Sequence, residues 1–474
     1  MQGRIQGHYQ NHLVSNYHWE VKKSHLTFIL INVFVGMIIL FFPLIGGEIT
    51  VLTISGWIFF VIAIMPIFLT GFNWTHPLCL NMPFIAIQAI SIIFSGSGII
   101  PLENYYLWYL DENTVQELYI KTVAINCLGL LVMYFFSFYK TNDNKSLTPT
   151  KFYIKKNSYT VSILFILIML VAFIFIILNV GSISYMFNNI ARRVDLYSGL
   201  AYFIVLLKYG TVAALLLLIK RKKKIAIFMV FFQIFLGVIL GDRGYIIFST
   251  LLPLLVFYNY YYKKVNLKKL TLIGLILVIF YQIYGEFRLL GEVSAESEPF
   301  FTRVVNVIED VRHDDITAAS IYVVDADESK LLLGRPLINL FLAPIPRGIY
   351  ENKPIIAESA IVGELVLGGG QGYGLPPGIF GYGYLNFKWI GVIIFAAISG
   401  LTVRFFYEKL VGFYKNRKIK IPEGNIVVYS MLCLYVTNPL STEIQIKVLT
   451  QLPAIIIIWF FCSKINKKAI SIKK

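Results

Sequence analysis

The chain has 474 residues, of which 57% are hydrophobic and 14% are charged, and its formal net charge is +16. Soluble domains carry about 25% charged residues, so the composition excludes an ordinary soluble enzyme and indicates a polytopic membrane protein. The positive charge does not indicate a nucleic-acid partner. Lysines and arginines stand in short clusters between apolar runs, as membrane topology requires.

Twelve apolar runs approach the length needed to cross a bilayer, about 20 residues. They lie near 26–45, 49–70, 78–100, 117–139, 159–180, 200–219, 225–240, 244–262, 270–285, 384–407, 425–440 and 448–463. The pattern predicts an all-α polytopic membrane protein of about twelve transmembrane helices. The first nine helices occupy 1–285, a large extracytoplasmic loop occupies 286–383, and the last three helices occupy 384–474.

The orientation follows from the positive charge of short loops, which favours the cytoplasmic side. The lysine-rich segments 220–224 and 263–264 have no counterpart among the short loops of the opposite side. We therefore expect both termini in the cytoplasm and 286–383 outside it. Within this loop, apolar residues at helical spacing predict an amphipathic helix over about 300–323. The part over 334–389 is dense in proline and glycine and predicts an ordered loop.

Basic side chains on the predicted extracytoplasmic side are the sharpest chemical signal. Arg243 stands in a tight turn between two spans, where a charge at membrane depth is costly and usually functional. Arg347 follows a pair of prolines, which lowers the entropy cost of holding its guanidinium toward a ligand. The guanidinium suits phosphate because its planar fork makes paired, charge-assisted hydrogen bonds. Further candidates for the same anion are Arg192, Arg193, Arg288, Arg303, Arg312, Lys330, Arg335 and Lys353. Alternatively, these side chains anchor helix ends at the lipid headgroups or pair with loop carboxylates.

Other residue types give weaker signals. His313 lies among carboxylates and is a candidate general base, or one more polar residue on a solvated helix face. Tyr373, Tyr382 and Tyr384 offer flat faces on which sugars stack, or they anchor the membrane interface. No metal site is expected, because no ligand spacing is diagnostic. No cofactor is expected either, since the glycine-rich run 368–383 lacks the Gly-Lys-Ser/Thr of a P-loop.

Three motifs occur together between about 240 and 400. They are Gly241-Asp242-Arg243-Gly244, the Pro-Ile-Pro-Arg segment that ends at Arg347 and is followed by Lys353-Pro354, and Leu375-Pro376-Pro377-Gly378 leading through Tyr384-Leu385-Asn386-Phe387 into a span. With about a dozen spans and one large external loop, the chain resembles the bacterial oligosaccharide repeat-unit polymerases of O-antigen and capsule synthesis, the Wzy family. Where related sequences often have glycine after Asn-Phe, this chain has Lys388.

The resemblance implies a GT-C-like membrane glycosyltransferase of lipopolysaccharide or capsule synthesis in the bacterial cytoplasmic (inner) membrane. Its donor and acceptor would be oligosaccharides linked through pyrophosphate to undecaprenol, and its other partners would be membrane lipids, a flippase and a chain-length regulator. It implies that Arg243, Arg347 and Arg288 stabilise the leaving pyrophosphate without a metal ion, and that His313 deprotonates the acceptor hydroxyl. The substrate contacts expected on the same grounds are Arg192, Arg193, Arg303, Arg312, Lys353, Tyr373 and Tyr382.

Two alternatives stay open at this point. One is the related O-antigen ligase, which moves finished chains onto the lipid A core. The other is a flippase or transporter of lipid-linked oligosaccharides. An ion-coupled transporter is disfavoured because the spans hold few ionisable residues, among them Lys121, Lys208 and Arg404, whereas such transporters usually carry charges or broken helices at the midplane.

Overall fold

The computed structural model describes the larger part of the chain. The described residues are 24–71, 73–102, 106–138, 158–189, 196–197, 199–262, 314–339, 342, 345, 349–350, 352, 354, 358–368, 374–416, 420–432, 452–458 and 460. They form helices, turns and loops, with no strand among them. They belong to two compact units. The first comprises Met1–Lys140, Ile308–Arg404 and Val436–Ile446, and the second comprises Thr141–Val307, Phe405–Tyr435 and Lys447–Lys474.

Eight helices of the described part are long and apolar enough to cross a membrane. They are Ser24–Leu44, Val51–Leu69, Pro77–Gly96, Glu112–Phe138, Ser158–Val180, Tyr202–Ile219, Gly244–Tyr262 and Gly378–Lys415. Each overlaps one of the twelve predicted runs, and the class of polytopic helical membrane protein is thereby confirmed. Of the other four runs, 225–240 matches a helix of 17 residues, Lys223–Ile239. The run 270–285 lies outside the described residues, and 425–440 and 448–463 are described only in part. The total of twelve stays a prediction.

The first unit begins with four long helices. They are α1 (24–41), which continues into a 3-10 turn at Phe42–Ile45, α2 (Val51–Leu69), α3 (Pro77–Gly96) and α4 (Glu112–Phe138). Thr50 caps α2, since its hydroxyl oxygen accepts from the Thr53 N–H at 3.2 Å and its hydroxyl donates to the Gly96 carbonyl at 2.6 Å. The bare Cα of Gly96 permits this approach, because a Cβ there would lie 2.6 Å from the Thr53 nitrogen. The cap therefore fixes the end of α3 against the start of α2.

Four shorter elements of this unit fall within the predicted loop. They are α12 (Asp314–Ala326), a 3-10 turn (Glu328–Lys330), α13 (Arg335–Asn339) and α14 (Glu358–Leu367). The predicted amphipathic helix over 300–323 is described only from 314 onward. α12 packs on α4 with Ala318 and Ala319 fully buried. This part of the predicted loop is therefore folded against a long apolar helix.

The last long helix of the unit, α15 (Gly378–Tyr407), folds back on itself. Its helical geometry is broken at Phe387 (φ −145°, ψ 29°) and Lys388 (φ 51°, ψ −139°). On either side, Gly383 and Gly391 are in backbone contact, since a Cβ on Gly383 would lie 2.7 Å from the Gly391 carbonyl oxygen. Residues eight apart in a straight helix are separated by about 12 Å, so the chain must reverse between them. We call 378–386 the first limb and 389–407 the second limb.

The neighbours of the two limbs on α4 agree with this reversal. Phe380, near the start of the first limb, packs directly on Gly129, well inside α4. In the second limb, Gly400 meets the Met133 backbone and its carbonyl accepts from the Ser137 hydroxyl at 3.3 Å. The first limb therefore runs from the interior of α4 toward its Glu112 end, and the second limb returns toward its Phe138 end.

Length gives the physical reason for the reversal. The continuous helical stretch Gly378–Lys415 has 38 residues, which as a straight helix would extend roughly 57 Å, about twice the hydrocarbon thickness of a bilayer. The second limb alone, at roughly 28 Å, matches that thickness. The first limb, at roughly 14 Å, is too short to cross a bilayer by itself. The chain that leads into the first limb is hydrogen-bonded to protein, because the Thr317 hydroxyl donates to the Pro377 carbonyl at 2.8 Å and the Leu375 N–H to the Ser359 carbonyl at 2.8 Å.

The second unit is also built of helices. They are α5 (Ser158–Val180), α6 (Ile183–Asn188), α7 (Ala201–Leu207), α8 (Tyr209–Ile219), α9 (Lys223–Ile239), α10 (Arg243–Ile246), a π turn (Ile247–Leu251), α11 (Leu252–Tyr262), a second π turn (Glu408–Gly412), α16 (Phe413–Asn416), α17 (Glu423–Leu432) and α18 (452–457). α8 packs between α5 and α9. Its exposed surface is small, and most of its side chains are fully buried.

Candidate functional site

Three polar side chains of the first unit meet where α4, α12 and the first limb converge. Lys121 of α4 forms an ion pair with Asp325 of α12. The Tyr384 hydroxyl donates to the other carboxylate oxygen of Asp325 at 2.9 Å, and the Lys121 ammonium lies 5.2 Å from the Tyr384 ring centroid. A carboxylate that accepts hydrogen bonds from a cation and from a phenol is held in one orientation. The cluster therefore fixes the end of α12 to the membrane helices.

The tip of the α15 hairpin continues this polar region. Lys388 forms an ion pair with Glu328, the first residue of the 3-10 turn. Two backbone contacts run beside it. The Leu332 N–H donates to the Leu385 carbonyl at 3.0 Å, and the Gly334 N–H donates to the Asn386 side-chain oxygen at 2.9 Å. The segment between α12 and α13 is therefore anchored on the hairpin tip at three points.

Asp327 shapes the same segment from within. Its carboxylate accepts from the Ser329 N–H at 3.0 Å and from the Ser329 hydroxyl at 2.6 Å. These hydrogen bonds stabilise the ionised form and lower the pKa of Asp327 below its ordinary value of 3.8. The carboxylate is therefore charged at every pH at which the protein is expected to work, and it caps the 3-10 turn throughout that range.

A pocket of about 280 Å³ opens beside this anchored segment. The 3-10 turn supplies Ser329 and Lys330, α13 supplies Arg335 and Asn339, and α14 supplies Glu364. Its remaining lining is apolar and is formed by Leu331, Leu332, Pro336 and Ile361. A mixed lining of charged, amide, hydroxyl and aliphatic groups is what a small polar ligand with some apolar surface requires.

The charged groups of the pocket are not engaged with each other. Among the described residues, Lys330, Arg335 and Glu364 form no ion pair, and all three side chains are exposed. This contrasts with Lys121 and Lys388, each of which is paired with a carboxylate. Lys330 and Arg335 are thus available to a ligand in a way that the neighbouring lysines are not.

The predicted arginine turn is described in the second unit. Arg243 is the first residue of α10, and the carboxylate of Asp242 accepts from the Tyr245 N–H at 3.0 Å, as an N-capping residue does. Tyr245 is 1% exposed, and its hydroxyl donates to the buried Gln233 side-chain oxygen at 2.6 Å. A π turn follows directly, and such turns are frequent at functional sites. The backbone at Arg243 is therefore set by a buried hydrogen-bond network.

Tyr382 is another predicted site residue that the structure describes. Its side chain is 1% exposed, and its ring meets Phe395 edge to face with centroids 5.7 Å apart. This is the environment of a core residue that packs the two limbs together. A sugar would reach its ring only if the limbs separated, so Tyr382 plays no part in the site proposed below.

The remaining predicted site residues lie outside the described residues. They are Arg192, Arg193, Arg288, Arg303, Arg312, His313, Arg347, Lys353 and Tyr373. The segment that carries Arg347 and Lys353 begins directly after Asn339 of the pocket and ends at α14, which supplies Glu364. The roles expected of these residues stay predictions.

Sequence reasoning missed several polar residues that the fold brings together. Asp325, Glu328 and Glu364 were not singled out, because a carboxylate in a polar loop has no distinguishing pattern. Glu358 was missed as well, although it is only 3% exposed at the first position of α14, where the helix dipole favours a negative charge. A usable signal existed for Lys388, which is the one charge in the apolar run from 378 to 403.

Comparisons of the chain with protein-family models, with curated proteins and with solved structures found no match.

Proposed function

We propose that this protein is a membrane glycosyltransferase that polymerises lipid-linked oligosaccharide repeat units. The observation that carries the proposal is the position of the basic pocket. Lys330 and Arg335 lie on short segments that are bonded directly to the tip of a membrane hairpin. A lipid-linked sugar keeps its tail in the bilayer and its charged head at the surface. A site for it is therefore expected at the end of a membrane helix, and the contact of this pocket's segments with the hairpin tip supports the proposal.

The sequence supports the same function through its motifs. In the proposed reaction, a hydroxyl of the incoming unit forms a new bond to C1 of the growing chain. The C1–O bond to the lipid pyrophosphate breaks with its electron pair, and the hydroxyl proton passes to a base. Negative charge grows on the departing phosphates, so fixed cations there stabilise the transition state more than the ground state. Arg243, Arg288 and Arg347 are the residues proposed for this role, with His313 as the base.

The large polar loop and the positive-inside pattern support a site on the extracytoplasmic side of the bacterial inner membrane. There the protein would meet undecaprenyl-pyrophosphate-linked units delivered by a flippase. A chain-length regulator is the other partner expected. Sugar contacts remote from the bond being made would set the linkage and the identity of the repeat unit, because they orient the reacting hydroxyl.

A deletion of the gene tests the function against its two alternatives. The surface glycan is separated by gel electrophoresis and lipid-linked intermediates are extracted from each membrane leaflet. Loss of a polymerase leaves surface lipid capped with single repeat units. Long lipid-linked chains that accumulate instead would show a ligase, and single units retained in the cytoplasmic leaflet would show a flippase. Either of these results overturns the proposal.

A further inference from the structure

The basic pocket has a charge composition that restricts what it can bind. Lys330 and Arg335 bring two positive charges, and Glu364 brings one negative charge from the facing helix. None of the three forms an ion pair with another described residue, although the Asp327 carboxylate beside the pocket interacts electrostatically with Lys330. The charged side chains that line the pocket therefore have one positive charge in excess, and the ligand that matches them carries a negative charge.

The arrangement of the donors refines this description. The planar fork of Arg335 suits a carboxylate or phosphate, to which it can donate two parallel hydrogen bonds. Glu364 can only accept hydrogen bonds when ionised, so it suits hydroxyl groups. Asn339 can donate or accept, and the Ser329 hydroxyl, which donates its proton to Asp327, can accept. Leu332, Pro336 and Ile361 supply apolar surface for the C–H face of a ring. One acidic group and several hydroxyls on a compact ring describe an acidic sugar.

Volume indicates the scale of the group that the pocket can hold. The pocket has about 280 Å³, just below the range of roughly 300–1,000 Å³ that is usual for small-molecule sites. A single sugar residue therefore fits in it. We propose that the pocket between the 3-10 turn, α13 and α14 binds a single sugar residue that carries an acidic group. That the ligand is a sugar rests on the proposed function. That it carries an acidic group rests on the charges of the pocket alone.

The test uses the purified full-length protein in lipid nanodiscs and isothermal titration calorimetry at low ionic strength. The probes are glucuronic acid, glucose 1-phosphate, inorganic phosphate and glucose. At least one of the two acidic sugars is expected to bind about tenfold or more tightly than both glucose and inorganic phosphate. The result identifies the acidic group as a carboxylate or as a phosphate.

Three variants check that the binding occurs in this pocket. Arg335→Gln is expected to weaken binding of the acidic sugar about tenfold, because it removes a charged pair of hydrogen bonds. Glu364→Gln is expected to strengthen it severalfold, because a like charge is removed while the shape is kept. Arg221→Gln, an exposed arginine of the second unit, is the matched control and is expected to leave the affinity unchanged.

Equal affinity for glucose and the acidic sugars would overturn the proposal, as would unchanged binding in Arg335→Gln or weakened binding in Glu364→Gln. Inorganic phosphate that binds as tightly as glucose 1-phosphate would overturn the sugar part and indicate a phosphate site. Polymerisation is measured on the same preparations. Normal polymerisation without acidic-sugar binding overturns the pocket proposal alone, and the expected binding without polymerisation overturns the proposed function alone.

Discussion

At the scale of single residues, Lys388 adopts a backbone conformation that is unfavourable for a residue with a side chain. With φ at 51° and ψ at −139°, its backbone lies in a region that side chains other than glycine rarely adopt. Such a conformation costs on the order of 1–3 kcal/mol. Its ion pair with Glu328 offsets only part of this cost, because both side chains are exposed to solvent, which screens the attraction. The lysine is therefore retained at a net cost in stability.

The strain predicts the order of folding stability of the wild-type protein and of two variants at position 388. Lys388→Gly removes the strain and loses the ion pair, so we expect the free energy of unfolding to rise by about 1 kcal/mol. Lys388→Ala keeps the strain and also loses the pair, and should be the least stable of the three. The apparent Tm of each purified protein in the same detergent measures the order. An alanine variant more stable than the glycine variant would contradict the assigned backbone conformation.

At the scale of elements, the hairpin of α15 rests on contact between two glycines. The length of the apolar run predicted a single span starting near 384. Lys388 is the one charge in this run, and one charge is too few to indicate a break. The reversal depends on a positive φ angle and on backbone contact between residues eight apart. Neither feature changes the hydropathy profile of the sequence. This is why the presence of the long helices was predictable from the sequence while the first limb was not.

The same contact predicts the effect of adding one methyl group. Gly391→Ala places a Cβ against the Gly383 carbonyl, where no flexible side chain can move aside. We expect the limbs to separate and the apparent Tm to fall by several degrees, since overpacking usually costs about 1–3 kcal/mol. Ile393→Ala, at a half-exposed position of the second limb, is the control and should change the Tm less. A Tm for Gly391→Ala equal to that of the wild type would refute the hairpin.

At the scale of the whole molecule, the sequence predicted the class of the protein. Eight predicted spans coincide with long apolar helices of the described part, because the bilayer imposes a length and an apolarity that any sequence must show. The sequence named Lys330 and Arg335 as candidates for one anion, but the place of Glu364 beside them could not be predicted, since it depends on how three short elements are arranged. Contacts between loop elements that are separated in sequence leave no periodic pattern of residues from which they could be predicted.

The central claim is that the chain joins lipid-linked repeat units by itself. The most direct measurement is the chain length of the product formed when the purified protein, in vesicles, is supplied with undecaprenyl-pyrophosphate-linked repeat units and nothing else. Wild-type protein is predicted to yield a ladder of longer chains. Arg243→Ala is predicted to lower the initial rate about 10²-fold through the loss of transition-state stabilisation, with Arg243→Lys recovering little of it. Units that remain single with the folded wild-type protein would contradict the account.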